Sequence, residues 1–204
     1  MADFSIDDVK KIREATGAGM MDAKAALEEA KGNYDKALEV LRLKGLAKAA
    51  KKADRAAENG VIESYIHGGK IGVLVEVACE TDFVARTDDF KAFTHDLAMH
   101  IAAAEPVYLN QESVPEDVIE KEKEVIKKEV VASGKPAEHA DKIVEGKLNK
   151  YYEAVCLSDQ KFVKDPEQTI EQMRQALVAK LGENIVIRRF VRLSLGGDQP
   201  TLAV

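Results

Sequence analysis

"VIESYIHGGKIGVLVEVAC", residues 61–79, is where the hydropathy period of this chain changes to two. Ile71, Val73, Val75, Val77 and Cys79 share one face of an extended segment, which predicts a half-buried strand. Gly68 and Gly69 separate it from the alternating "VIESYIH". A glycine pair accepts the positive φ of a two-residue hairpin turn, so a hairpin is expected. "GGKIGV" also has the look of a phosphate loop. Ile71, however, follows Lys70 where such a loop needs Ser or Thr, and the glycine spacing is not met. The hairpin is favoured.

Upstream the period is helical. Ser5 is a plausible N-cap for a helix carrying Ile6, Val9 and Ile12, which "TGAG" ends. Met20, Ala23, Leu27 and Ala30 share a face of a second helix, stopped by Gly32-Asn33. Tyr34, Ala37, Leu38 and Leu41 stripe a third, with Gly45 beyond. These stripes suffice for a three-helix bundle over residues 1–45. "LAKAAKKADRAAENG", residues 46–60, lacks a second apolar stripe and reads as a partly helical linker. A core domain is expected over 61–196 and a frayed tail over 197–204.

Downstream, a helix is predicted over 88–104, ending before Pro106. Two more, near 115–132 and 137–154, form a helical hairpin about "SGKP". The first carries a narrow stripe of Ile119, Ile126 and Val130. Asp165 as N-cap, Pro166 at the first helical position and Gln168 predict a helix from "KDPEQT". Its apolar face is Ile170, Met173, Leu177 and Leu181. "NIVIRRFVRLSL", residues 184–195, is a further strand expected to join the hairpin. The fold class is α+β with a small antiparallel sheet.

Composition narrows the function. A net charge of −6 argues against bulk nucleic-acid binding, which needs a cationic surface. The basic run Lys44, Lys48, Lys51, Lys52 and Arg55 is more economically a solvated helix. No apolar run approaches the ~18 residues of a membrane span, and no secretory signal is apparent, so a soluble cytoplasmic protein is expected. Cys79 and Cys156 are too few for a disulfide framework. His95 and His100, five apart on a helix, do not align as metal ligands. No nucleophile elbow or other catalytic constellation occurs, and no cofactor or metal is expected. The chain does not read as an enzyme.

Two features stand out from that background. "CETDFVAR", residues 79–86, puts Asp82 and Phe83 at a strand-to-helix junction. Thr81 could N-cap a helical turn with Phe83 folded inward, or Phe83 could stand outward as a wedge beside a carboxylate. Met20 and Met21 diverge by ~100° on their helix. Met21 either packs a second side of the bundle or offers a flexible apolar contact to a partner.

"IREATGAGMMDAKAALEEA", "NYDKALEVLRLKG" and "CETDFVAR" resemble the bacterial translation elongation factor Ts family. The resemblance continues through "FKAF", "HIAAAEP", "VIEKEKEVIKKEV", "GKPAEHADKIVEGKLNKYYEAVCLSDQKFVKD" and "GENIVIRRFVRLSLG", from about residue 4 to 196. It implies a guanine-nucleotide exchange factor for elongation factor Tu, binding that GTPase in its GDP and nucleotide-free forms. It also implies that the bundle has the ubiquitin-associated type of fold and grips the partner through Val9, Lys10, Ile12, Arg13, Met20 and Met21. Thr81, Asp82, Phe83 and Val84 match the motif whose phenylalanine wedges between partner helices near the magnesium site. Thr87 departs from the family, where Asn is more usual. The length resembles the shorter family form, whose members act as homodimers, some through an intersubunit disulfide; whether Cys156 forms one is open. A reading of another class is a non-catalytic adaptor that binds a partner through the bundle and drives no nucleotide release.

Overall fold

The computed structural model describes residues 4–132, 140–197 and 199–204. Helix α1 (Ile6–Thr16) begins at a reciprocal cap. Ser5 Oγ accepts from Asp8 N at 3.2 Å, and Ser5 N donates to Asp8 Oδ2 at 2.9 Å. Ser5 N, and Ser5 Oγ at 2.7 Å, both donate to Asp8 Oδ2, which favours the ionised form and holds the Asp8 carboxyl below its usual range. Gly17, at φ 67°, closes the helix. Helix α2 (Met20–Glu29) ends before Gly32, at φ 82°, and Asn33 caps α3 (Tyr34–Ala50) by accepting from Lys36 N at 2.9 Å.

The bundle core is Val9, Ile12, Ala23, Ala26, Leu27, Ala30 and Ala37. Four of these are alanines, which let short helices approach closely around Ile12 and Leu27. Met20 does not share this buried face as expected; it is 43% exposed, and Ala26 occupies the stripe. Helix α3 also continues past Gly45, whose stop signal fails. Leu46, Ala47, Lys48, Ala49 and Ala50 are strong helix formers and carry the helix through it.

The hairpin is β1 (Asn59–His67) and β2 (Ile71–Cys79). Gly68 and Gly69 lie at φ 56° and 67°, as a tight reversal requires. The loop is three residues, 68–70, instead of two. A Cβ on Gly72 would lie 3.3 Å from Ile66 Cδ1, and one on Gly60 would lie 2.1 Å from Val77 O. That register puts Val73, Val75 and Val77 in the core and leaves Ile62, Ile66 and Leu74 exposed.

Helix α4 (Asp82–Ala85) follows, then α5 (Asp88–Ala104), a 3-10 turn over Gln111–Ser113, α6 (Glu116–Ala132) and α7 (Ala140–Val155). Ile126 and Val130 pack with Val144, Ile143 and Leu148, so α6 and α7 form the expected helical pair. The "SGKP" between them lies outside the described residues. Lys161–Phe162 (β3) pairs antiparallel with Asp165–Thr169 (β4).

The expected helix start at Asp165 is therefore corrected to a strand, and α8 runs Ile170–Leu181. The capping signal is real chemistry in a different setting. Asp165 Oδ1 accepts from Glu167 N at 3.2 Å and Asp165 Oδ2 from Gln168 Nε2 at 2.6 Å, which stabilises a local turn as readily as a cap. After α8 come β5 (Ile185–Ser194) and β6 (Thr201–Ala203). The sheet order is β1-β2-β5-β6, and Leu202 pairs with Val191. The tail, expected to fray, thus supplies a strand with Ala203 buried. Helices and an antiparallel sheet in this order make an α+β fold.

Two compact units partition the chain. One holds residues up to Val61, Val77–Phe93 and Gln172–Val186; the other holds Ile62–Glu76, Thr94–Glu171 and Ile187–Val204. Within the first, residues of the segment read as a partly helical linker bond to the turn after α8. Asn184 Nδ2 donates to Ala53 O at 3.1 Å and Arg55 O at 2.8 Å, and Lys52 Nζ donates to Gly182 O. Within the second, Arg192 is buried and its guanidinium donates to Ala102 O and the Glu105 carboxylate, holding the end of α5.

Candidate functional site

Residues 79–86 turn a buried strand into an exposed corner. Cys79 is fully buried, and its Sγ donates to Thr81 O at 3.1 Å. Burial, reinforced by the Glu183 carboxylate, pushes its thiol pKa up, so it acts as a core residue. Thr81 has extended backbone (φ −129°, ψ 156°), and its hydroxyl accepts from Val84 N at 3.4 Å, capping α4. Val84 and Ala85 point into the unit, so a single helical turn leaves Asp82 and Phe83 facing out. Phe83 is 78% exposed. Of the two readings open for this residue, the inward one does not hold.

What fixes the corner is a crossed pair of carboxylates. Glu183 accepts from Thr81 N at 3.0 Å through one oxygen and from Thr81 Oγ1 at 2.7 Å through the other. Glu80 returns the contact, its Oε1 accepting from Asn184 N at 2.7 Å, with Arg55 Nη1 3.5 Å away. Asn59 Nδ2 donates to Glu80 O at 2.8 Å. Charged acceptors on backbone N–H donors are among the stronger hydrogen bonds. Asp82 Oδ2 meets Arg86 Nη2 at 2.7 Å on the exposed side, an i,i+4 pair of small energetic weight. Thr87 serves as the next cap: its Oγ1 donates to Val84 O at 2.8 Å and accepts from Phe90 N at 3.3 Å. Thr87 therefore meets the local need for a cap by itself.

Sequence reasoning misses Glu80, Glu183 and Asn184. The signal for them is faint: an acid and an amide directly after Gly182, between a helix end and a strand, where backbone donors need partners.

The bundle residues separate into two kinds. Val9 and Ile12 are in its core, at 5% and 0% exposure, with no side-chain surface to offer a partner. They hold α1 in place. Lys10, Arg13 and Met21 are exposed, Met21 at 78%, with Met20 half exposed. Lys10 Nζ lies 3.2 Å from Asp7 Oδ1. The basic run near α3 is engaged inside the unit: Lys44 with Glu29 at 2.6 Å, Lys48 with Asp22 at 2.8 Å, and Arg55 with Glu80. It presents no row of free cations for phosphates.

Elsewhere the chemistry is structural. His95 Nδ1 lies 3.5 Å from Glu63 Oε1, and His100 is fully buried. Among the described residues no group of three or more His, Cys, Asp or Glu is placed to hold a metal ion. No helix among them is long and apolar enough to cross a membrane. Cys156 is free and buried, its pKa pushed up to about 12 by burial, with Asp159 and then Glu112 adding to the shift. The arrangement can present an aromatic ring and a carboxylate on a fixed turn, together with an exposed methionine.

The model of the family described as elongation factor Ts matches residues 3–176. The chain is 58% identical over 189 residues to elongation factor Ts of Carboxydothermus hydrogenoformans, covering 92% of this chain and 87% of that one. It is 55% identical over 194 residues to that of Caldanaerobacter subterraneus subsp. tengcongensis, with 95% and 97% covered. It is 56% identical over 195 residues to that of Fervidobacterium nodosum, with 95% and 99% covered.

Proposed function

This chain belongs to the elongation factor Ts family of translation elongation factors, and we propose that it is the guanine-nucleotide exchange factor for elongation factor Tu. It binds that GTPase, promotes GDP release and leaves an empty site for GTP, as a non-enzymatic factor of the cytoplasm. The observation that carries this reading is Phe83: a large apolar ring, 78% exposed, on a turn held by two carboxylates. Exposed phenylalanine on a rigid support has no use to the fold that carries it.

The physical task is differential binding. A factor speeds release only if it binds the nucleotide-free GTPase better than the loaded one, and nucleotide then weakens its binding by the same factor. Which nucleotide reloads is set by concentration. Burying one phenylalanine yields ~2–3 kcal/mol, while moving a state ratio by four decades takes ~5.5 kcal/mol. Phe83 alone falls short, so Asp82 and the bundle surface share the work. Arg13, Lys10, Met20 and Met21 supply a mixed cationic and apolar contact with the GTPase domain. Val9 and Ile12 act behind them as support, and Val84 anchors Phe83 from inside.

The bundle of α1, α2 and α3 is the gripping module, the segment after α3 connects it, and the rest, the tail strand β6 included, forms a dimerisation core. Ile62, Ile66, Leu74, Leu193 and Leu202 are exposed along the sheet, an apolar face suited to a second copy of the chain. A buried thiol with a pKa of about 12 does not favour a Cys156 disulfide across that interface.

The adaptor reading explains an exposed Met21 but leaves the clamped Phe83 without a role. Mixing the purified chain with elongation factor Tu carrying fluorescent GDP separates the two. Accelerated release that scales with the factor is expected; binding with no acceleration would leave only the adaptor.

A further inference from the structure

Phe83 is too exposed for its own packing to fix its direction, so something else must aim it. Three chain segments meet behind it: 53–55, 79–81 and 182–184. Asn184 joins the first to the third through Ala53 O and Arg55 O. Glu80 joins the second to the third through Asn184 N. Glu183 alone among these reaches the residue that opens α4, and it holds Thr81 at both N and Oγ1.

The division of labour at Thr81 is informative. Its hydroxyl proton goes to Glu183 at 2.7 Å, which turns the oxygen lone pairs towards Val84 N, the cap donor at 3.4 Å. One carboxylate thus sets both the rotamer of the capping hydroxyl and the position of the backbone entering the turn. A turn of four residues has little intrinsic stability. Without this anchor, α4 would keep Val84 and Ala85 buried but lose the constraint on the rotation of its outer face.

We propose that Glu183 is a positioning residue for exchange: it acts through Thr81 to aim Phe83, and touches neither the partner nor nucleotide. This rests on Phe83 being the exchange element, and the test keeps the two claims apart. The chain contains no Trp, so Phe83→Trp creates a single indole whose steady-state anisotropy reports the mobility of that position in the free protein. In that background Glu183→Ala lowers the anisotropy while far-UV circular dichroism stays close to the parent, with a melting temperature that falls by several degrees but leaves the chain folded under the assay conditions. Glu183→Gln, which keeps one acceptor oxygen for Thr81 N and loses the second, falls between them. Unchanged anisotropy in both variants overturns the proposal whatever the exchange assay gives.

The second arm is functional. Losing two charge-assisted bonds at the turn predicts that Glu183→Ala slows stimulated GDP release at saturating factor by about tenfold, with a smaller change in apparent affinity. Combined with Phe83→Ala, the same substitution adds less than about a further twofold, because its effect runs through the missing ring. An equal loss with and without Phe83 overturns the positioning role. Should Glu183→Ala fail to fold, Glu183→Gln carries both arms, and wild-type behaviour of that variant in both overturns it. If Phe83→Ala itself releases GDP at the wild-type rate, the exchange reading fails on its own account.

Discussion

Phe83 and Ile12 show how much one residue's burial decides. Both sit on amphipathic segments, both are candidates for partner contact, and only Phe83 faces solvent. The sequence could not separate them, because resemblance transfers a position and not its exposure. Met21 is equally ambiguous in sequence and proves exposed. Met21→Ala or Arg13→Ala is expected to weaken binding to elongation factor Tu by several-fold while leaving the melting temperature close to the parent's, since surface changes cost little stability. Titration with native affinity would contradict this.

His100 shows the opposite case at the same scale, a histidine whose use is internal. Its Nε2 lies 3.0 Å from Gln160 Oε1, and Gln160 Nε2 donates to Ala104 O and Ala154 O; its Nδ1 has no partner among the described residues. Burial lowers its pKa below the ordinary 6.5, partly opposed by Gln160. The folded chain keeps it neutral while the unfolded chain takes a proton near the ordinary value. Stability is therefore full well above that ordinary value and falls as pH drops through it towards the lowered one. Thermal melts on the acid side of neutrality should lose more for the parent than for His100→Gln; parallel losses would contradict the assignment.

At the scale of elements, periodicity identified each helix of the bundle, the hairpin and the last long strand. Boundaries failed where one local signal serves two structures. "KDPEQT" carries cap chemistry that here serves residues of strand β4, and Gly45 carries a stop signal that the following residues override. The hairpin register was the least legible feature, since two glycines fit a loop of two residues or three. Gly60 now pins it: at φ 145°, any Cβ would collide with Val77 O. Gly60→Ala is expected to destabilise the fold by more than ~2 kcal/mol. Gly69→Ala, where a Cβ meets nothing within 4 Å, costs only the left-handed strain of ~1 kcal/mol. Denaturant midpoints measure both, and equal effects would refute the register. Strand β6 was missed because three residues after a glycine-rich turn carry no period to read.

At the scale of the molecule, the chain combines an acidic, charge-paired surface with exposed apolar side chains, among them one aromatic ring in the first unit and one sheet face in the second. The sheet face belongs to the proposed assembly. Ile66→Glu with Leu74→Glu is expected to convert a dimer into a monomer in analytical ultracentrifugation without unfolding the chain; a mass unchanged by the substitutions would exclude that face as the interface. The ring belongs to the proposed exchange. Its free energy, ~2–3 kcal/mol, is about half of the ~5.5 kcal/mol that nucleotide displacement needs. Phe83 must therefore act in concert with the bundle, yet be indispensable for rate. The direct measurement is stopped-flow release of fluorescent GDP from elongation factor Tu at saturating factor, parent against Phe83→Ala. A rate lower by one to two orders of magnitude is expected, from the ~2–3 kcal/mol that the ring supplies, with the variant still folded and still bound. Release by Phe83→Ala as fast as by the parent would contradict it.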